Sequence, residues 1–408
     1  MSFFPDILVG VALLTFAIWL LLIVSWGAFW QLWRFDADRE SVGELPAWPS
    51  VVAIVPARNE AQTIGATVSS LARQDYPGAL RIIVVDDASG DGTAKIARRA
   101  ADDAGVSSRF EVVTAPVLRE GWTGKVGAMD AGVKAASRHT PEWFWFVDAD
   151  IVVAPDALRR LVSRATANDW SLASLMVLLQ AKTFAERLLV PPFLYFFLML
   201  YPPPWISDQK KRIAGAAGGC LLLRADALQR IGGCAAIAGE VIDDCALAQA
   251  VKRGGGRLWI GLTRTSRSIR RYATFSEMRE LIARTAFTQL HYSAVELLGT
   301  LSGLAVVFLL PVAITFSGVA RAWPFALAAW ILITASIAPT LIFYRVSLLF
   351  APFLPAAALF YAYATALSAV RYWLGHGALW KGRSQAPAAG APQRQIGFPA
   401  AEDKKRPG

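Results

Sequence analysis

An α/β domain with a mainly parallel sheet, helices on both faces and α-helical transmembrane segments at both ends is the fold class this sequence predicts. Three observations lead there. Residues 7–30, ILVGVALLTFAIWLLLIVSWGAFW, carry no charge, and a helix crossing a bilayer needs roughly 20 apolar residues. Residues 51–147 alternate short apolar runs with amphipathic helical patterns, as expected of a parallel sheet covered on both faces. Three more apolar stretches, at 294–316, 322–343 and 347–371, are separated by Arg321 and Arg345.

Composition agrees. The 408 residues are 55% hydrophobic and only 18% charged, against about a quarter charged in soluble domains. The first apolar run is too long for the core of a signal peptide, lacks a basic segment before it and has no A-x-A site after it. A retained anchor over 1–32 is therefore expected. The net charge of +10 does not point to nucleic acid, since no recognition motif or dense basic block accompanies it. Basic flanks of an inner-membrane protein explain the sign. Cys220, Cys234 and Cys245 show neither zinc spacing nor a disulfide framework, which predicts a reducing compartment.

Arg34 and Arg39 follow the first span and no Lys or Arg precedes it. That places the catalytic domain on the cytoplasmic side of a bacterial inner membrane. Three later spans would put the tail outside, yet Lys381, Arg383 and Lys404–Arg406 favour an inside tail. One interfacial stretch among the three would reconcile the two. The expected domains are 48–265 (cytoplasmic α/β), 266–292 (amphipathic interfacial helix), 293–375 (transmembrane helices) and 384–408 (a disordered basic tail).

Within the α/β region, VVAIV at 51–55 is the first buried strand, followed by a helix across 60–74. RIIVV at 81–85, a helix over 92–103, FEVV at 110–113, a helix over 125–136 and WFWFV at 143–147 continue the alternation, and Pro155 opens another helix. Such sheets bind ligands beyond the carboxyl ends of their strands, where PARNE, DDASGDG and DAD fall. The prolines in 188–206 argue against a straight transmembrane helix. That segment is expected at the membrane interface or lining an apolar cleft, with a buried hairpin as the alternative. Across 269–292, Tyr272, Phe275, Met278, Ile282 and Ala286 share a helical face. This predicts an in-plane interfacial helix, the alternative being an ordinary surface helix.

Asp148 and Asp150 end the aromatic strand. In an extended segment residues i and i+2 share a face, so the two carboxylates repel each other. A hard divalent cation such as Mg²⁺ or Mn²⁺ relieves this, bridging one or two carboxylates to substrate phosphates. D-x-D alone is a weak signal, and its position after a buried strand strengthens it. Asp86 and Asp87 follow another buried strand, where an acid accepts hydrogen bonds from a base or ribose; Ser89 or Asp91 suits the cap of the next helix. GWTGK at 121–125 fails the phosphate-loop spacing. Lys125 at a helix start still suits a diphosphate, with a solvated lysine as the alternative. VIDDCALA at 241–248 puts Asp243 and Asp244 in an apolar helical pattern, the setting of a general base or of an ion pair with Lys252 or Arg253.

Taken in order, VPARNEAQTI, IIVVDDASGDGT, GWTGKVGAMDAG, FVDADI, GGCLLLRADALQRIGG and IDDCALA resemble family 2 glycosyltransferases of the GT-A fold over about 51–290. Segments such as YPPPWI and ARTAFTQL resemble the hopene-associated branch of bacterial hopanoid clusters. The resemblance implies an enzyme that moves sugar from a nucleotide-diphospho sugar to a membrane lipid, a hopanoid hydroxyl, with Mg²⁺ or Mn²⁺. It implies that Pro56, Arg58 and Glu60 line the nucleotide pocket, Asp87 holds base or ribose, and Lys125 and Asp148 meet the diphosphate. Asp148 and Asp150 would hold the metal, Asp150 principally. Asp244 would be the catalytic base, with Asp243 and Arg284 on the acceptor side. Two departures stand out. Ala246 replaces a common Asp, and LIART at 281–285 keeps only Arg284 of the Q-x-x-R-W of processive relatives. Transfer of a single sugar is therefore favoured. Alternatives are a polyprenyl-phosphate or other glycolipid glycosyltransferase, and a non-catalytic nucleotide-sugar binding subunit.

Overall fold

The computed structural model describes residues 4–39, 43–375, 379, 380, 383 and 384. The expected basic tail, apart from Ser384, and Lys381 and Lys404–Arg406 lie outside the described residues.

Eight strands form one sheet. They are β1 (Val51–Ala57), β2 (Leu80–Asp86), β3 (Phe110–Thr114), β4 (Trp143–Val147), β5 (Ile151–Val152), β6 (Leu172–Leu178), β7 (Cys220–Arg224) and β8 (Leu258–Ser268). The order is β3-β2-β1-β4-β7-β6-β8-β5. β1, β2, β3 and β4 pair in parallel, and the alternation of residues 51–147 foretold this half. β7 runs antiparallel to both β4 and β6, and β5 antiparallel to β8. The sheet is thus mixed, where a mainly parallel one was expected.

α2 (Ile64–Ala72), α3 (Thr93–Asp103) and α5 (Ala157–Ala167) cover one face. Val51, Val55, Val84, Trp145, Leu158 and Leu161 form the core there. α4 (Gly124–Ala136), α8 (Ala225–Arg230) and α9 (Asp243–Arg253) cover the other, around Ile54, Ile83, Phe144, Phe146 and Leu247. β1 is buried along its whole length, as a central strand under two helical layers must be.

The apolar helices form a third body. α1 (Phe4–Ser25) packs on α14 (Trp323–Phe343), and Trp19 sits edge-on to Phe308 while its indole N–H donates to the Val307 carbonyl at 2.8 Å. α12 (Ala294–Leu304), a π-helical stretch Ala305–Leu309 and α13 (Leu310–Thr315) make one apolar rod; α15 (Leu354–Trp373) closes the group. Among the described residues five helical segments are long and apolar enough to cross a membrane, one of them Phe184–Ser207.

Residues 184–200 correct one expectation. They form a single helix, α6 (Phe184–Leu200), with Pro191 and Pro192 inside it. The Tyr361 hydroxyl donates to the Leu189 carbonyl beside these prolines at 2.9 Å. Both ends of α6 touch the sheet domain. Buried Glu186 accepts from the Tyr272 amide at its start, and Tyr201 packs on Gly215 at its end. α7 (Pro203–Ser207) follows at once, its Trp205 and Ile206 carbonyls held by Lys252. α6 packs against α14 and α15.

The single amphipathic helix expected over 269–292 is two short ones, α10 (Phe275–Ala283) and α11 (Ala286–Gln289). β8 runs on to Ser268 and a loop carries Tyr272. A capping box between Thr274 and Glu277 starts α10. The Ser368 hydroxyl bonds the Ala283 carbonyl and the Phe287 amide, stapling the break between the helices to α15. Glu280 pairs with Arg371 of α15.

Candidate active site

The loops after β1 and β2 form the first wall of a cleft at the carboxyl end of the sheet. They are zipped together. The Asn59 amide donates to Ser89 Oγ at 3.0 Å, and the Gly90 amide to Asn59 Oδ1 at 3.0 Å. The Glu60 amide donates to Thr93 Oγ1 at 2.8 Å, and the Ala61 amide to Asp91 Oδ2 at 3.0 Å. Asn59 has φ +51, a conformation Asn adopts more readily than most residues. Asp91 Oδ1 also accepts from the Thr93 amide, while the N-cap position of α3 is Gly92 and Ser89 serves the neighbouring loop.

Pro56 is buried near the end of β1, beside Val85 of β2. The Arg58 guanidinium lies 3.5 Å from Asp87 Oδ2 and donates to the Asp87 carbonyl. Asp87 is thus committed to the protein. Its neighbour Asp86 is different. Asp86 Oδ1 is buried and has no hydrogen-bond partner among the described residues. An unpaired buried carboxylate oxygen is costly, so Asp86 is an acceptor that a bound donor group would satisfy. Sequence reasoning assigned base or ribose to Asp87, and Asp86 stands beside it at the end of β2.

Asp148 and Asp150 do not share a strand face. They lie in a turn between β4 and β5, closed by the Ile151 amide donating to the Asp148 carbonyl at 3.1 Å. The carboxylates therefore part. Asp148 Oδ1 meets Lys125 Nζ at 3.0 Å, and Asp150 Oδ2 meets Arg270 Nε at 2.8 Å. Burial pushes the Asp148 carboxyl up, Lys125 opposes this, and the charges of Asp150 and Asp243 add to it. Its side chain stays a third exposed, which tempers the shift.

Lys125 is the second residue of α4 and sits between acids. Its Nζ is also 3.1 Å from Asp243 Oδ2. Burial disfavours its charge, but Asp148, Asp243 and Asp244 outweigh that and hold it protonated. The solvated lysine is excluded. So is the ion pair of Asp243 or Asp244 with Lys252, whose ammonium donates to the carbonyls of Trp205, Ile206 and Ile213.

Asp244 opens α9. Its Oδ2 accepts from the Gly218 amide and its Oδ1 from the Cys245 amide, both at 2.8 Å. A Cβ at Gly218 would stand 3.0 Å from Asp244 Oδ2, so only glycine lets the backbone approach this carboxylate comfortably. Burial pushes the Asp244 carboxyl up to about 6; Asp243 adds to the shift, while Lys125 and the two amides oppose it. A carboxylate so placed is ionised at neutral pH and basic enough to take a proton.

Beyond Asp244 the wall turns apolar. The Tyr201 hydroxyl accepts from Gln289 Nε2 at 2.6 Å and lies near Cys245, and Phe197 stacks obliquely on Tyr201. Arg284 ends α10, exposed, close enough for its charge to act on the Tyr272 hydroxyl. Sequence reasoning missed Arg270, Gly218, Tyr201 and Gln289. Only the Arg270–Arg271 doublet at the end of β8 hinted at any of them.

The oxygen donors of Asp148 and Asp150 suit Mg²⁺ or Mn²⁺. Among the described residues no group of three or more His, Cys, Asp or Glu side chains is gathered for a metal. Two carboxylates still fit, as the protein's share of a shell that phosphate oxygens and water complete.

Parts of the chain are similar to known proteins. Residues 52–232 match the model of glycosyl transferase family 2. An N-acetylglucosaminyltransferase of Rhizobium sp. (strain N33) is 34% identical over 129 residues, 31% of this chain and 26% of that protein. An N-acetylglucosaminyltransferase of Bradyrhizobium elkanii is 34% identical over 130 residues, 31% of this chain and 64% of that protein. The chain spans 26%, 37% and 42% of the first three curated relatives it matches. Among solved structures, a mannosyltransferase from Pyrobaculum calidifontis in complex with GDP-Man and Mn²⁺ is similar at 18% identity and TM-score 0.49, covering 90% of this chain and 98% of that one.

Proposed function

We propose that this chain is a membrane-bound inverting glycosyltransferase that moves one sugar from a nucleotide-diphospho sugar to a lipid hydroxyl. One observation carries the reading: Lys125, Asp148, Asp243 and Asp244 converge at the carboxyl end of β4, with Tyr201, at the end of apolar α6, close to Asp244. That is a cation and a base side by side, next to a surface suited to a lipid.

The donor lies along β1 and β2. Its base meets Asp86, with Pro56, Arg58, Glu60 and Asp87 shaping the pocket. Asp148 and Asp150 are the residues to hold Mg²⁺ or Mn²⁺, which supplies positive charge for the diphosphate. Lys125 adds its own charge where the leaving group becomes more negative. Asp244 takes the acceptor hydroxyl proton. The freed oxygen attacks the anomeric carbon, the bond from that carbon to the diphosphate oxygen breaks, and the configuration inverts. Asp243 keeps Lys125 in place. Arg284 faces the acceptor entrance.

The acceptor side rests on the apolar helices. α1 and the three C-terminal segments span the bacterial inner membrane, the sheet domain is cytoplasmic, and α6 and α10 lie at the interface. The relatives described as N-acetylglucosaminyltransferases make N-acetylglucosamine the first sugar to test. The resemblance to hopene-associated enzymes makes a hopanoid hydroxyl the first acceptor. Titration of purified protein with UDP and Mn²⁺ tests the donor site: wild type binds both, and Asp150→Ala weakens the metal-dependent part. Binding unchanged in Asp150→Ala removes that residue from the metal. Lipid extracts of a deletion strain, lacking one glycosylated lipid of its parent, test the acceptor.

A further inference from the structure

Arg270 stands between the two sides of the donor cleft. Its Nε lies 2.8 Å from Asp150 Oδ2, and its Nη2 lies 2.6 and 2.8 Å from the two Glu60 carboxylate oxygens. One guanidinium therefore links the acid assigned to the metal with the loop after β1.

The backbone that presents it is well anchored. The Ile269 amide donates to the Asp150 carbonyl at 2.9 Å, and Gln180 Nε2 to the Ile269 carbonyl at 3.0 Å. The Arg270 amide donates to Ser268 Oγ, and that hydroxyl bonds Asp150 Oδ2 at 3.1 Å. Two residues on, the Tyr272 amide donates to Glu186, a fully buried carboxylate. Such a frame fixes where the side chain starts, while the side chain itself is 30% exposed and has room to swing.

Asp150 Oδ2 already carries the Ser268 hydroxyl and Arg270. A divalent cation needs that carboxylate's electrons and is repelled by a guanidinium beside it. Yet an Arg fork matches phosphate oxygens as well as it matches a carboxylate. We propose that Arg270 is the resident counter-ion of Asp150: it holds Asp150 and Glu60 in the donor-free protein, yields Asp150 when a divalent cation arrives with a nucleoside diphosphate, and turns onto the diphosphate. The inference rests on the donor site proposed above. Cation and nucleotide then bind cooperatively, each raising the other's affinity by the same factor, and the cation alone binds weakly. Arg270 is a positioning residue for the metal and a donor contact only once it has moved.

The test is Mn²⁺ affinity, measured by electron paramagnetic resonance on full-length protein in nanodiscs, without and with UDP. Arg270→Gln is expected to bind Mn²⁺ alone about tenfold more tightly than wild type, as loss of a part-exposed cation beside the ligand predicts. The gain in Mn²⁺ affinity that UDP produces should shrink. Arg270→Lys keeps the charge but loses the fork, so it should hold Mn²⁺ alone as weakly as wild type and still show a reduced UDP effect. Should Arg270→Gln fail to fold, the Lys variant decides by that reduced effect. Wild-type Mn²⁺ affinity and wild-type UDP coupling in folded variants overturn the inference while leaving the donor site intact. If wild-type protein binds neither UDP nor Mn²⁺, the functional reading falls first and this one with it.

Discussion

The two walls of the cleft are built differently. The donor wall comes from β1, β2 and β4, neighbours in a parallel sheet. Its loops are short and joined by backbone-to-side-chain bonds between residues about thirty positions apart. The acceptor wall gathers α6, α9, α10 and α11, from residues 184 to 289, and rests against the apolar helices. On the function proposed above, the contrast separates a donor wall that holds charge from an acceptor wall shaped by packing, and specificity for the acceptor belongs to the second.

The strongest way to break this division is at Asp244, where the walls meet. Asp244→Asn keeps the shape and the Gly218 contact but removes the proton acceptor. Turnover should fall about 10²–10⁴-fold, the worth of a positioned base, while UDP binds with wild-type affinity. Calorimetry with UDP beside a radiolabelled transfer assay reads both. Turnover near wild type would give the base to another group, and lost UDP binding would mean that the walls are not separable.

Legibility in the sequence follows the same line. The strands and helices from 51 to 147 stand where the alternating pattern puts them, because local hydrophobic period and parallel topology agree there. Lys125, Asp148, Asp243 and Asp244 were each visible as a charge at the edge of an apolar run. What stayed hidden depends on tertiary packing. β7 turns antiparallel, which no local period encodes. Pro191 and Pro192 sit inside α6, where neighbouring helices surround the turn that the prolines weaken. α10 and α11 part where Ser368, more than eighty residues away, bonds both. Asp150 pairs with Arg270, a partner 120 residues on, which no local pattern encodes.

A pH profile sharpens the comparison with a smaller effect. Asp244 must be ionised to act, and its carboxyl is pushed up to about 6 by burial and then by Asp243, against Lys125 and the amides of Gly218 and Cys245. Activity is therefore full above that value and lost as pH falls through it, by about tenfold per pH unit. Asp243→Asn removes the second cause of the rise and should move the midpoint of kcat/KM to lower pH. A midpoint unmoved by that change, in protein that still binds UDP, would mean that the limb belongs to another acid.

The mildest change probes the acceptor wall alone. Gln289 donates to the hydroxyl of Tyr201 across the join of α6 and α11, a bond between residues 88 positions apart. Gln289→Ala leaves that hydroxyl free to find another partner, so the cost is that of one neutral hydrogen bond, about 1 kcal/mol. Among the described residues, Gln289 and Tyr201 bond each other and not the loops after β1 and β2. KM for the lipid acceptor should rise about fivefold, as that energy implies, with UDP affinity and the pH midpoint unchanged. Tyr201→Phe should do the same, and the double variant should add little, because both remove one shared bond. If instead the donor constant shifts and the acceptor constant does not, α6 and α11 serve the nucleotide side, and the split between a charge-holding wall and a packing wall is wrong at the point where it is easiest to see.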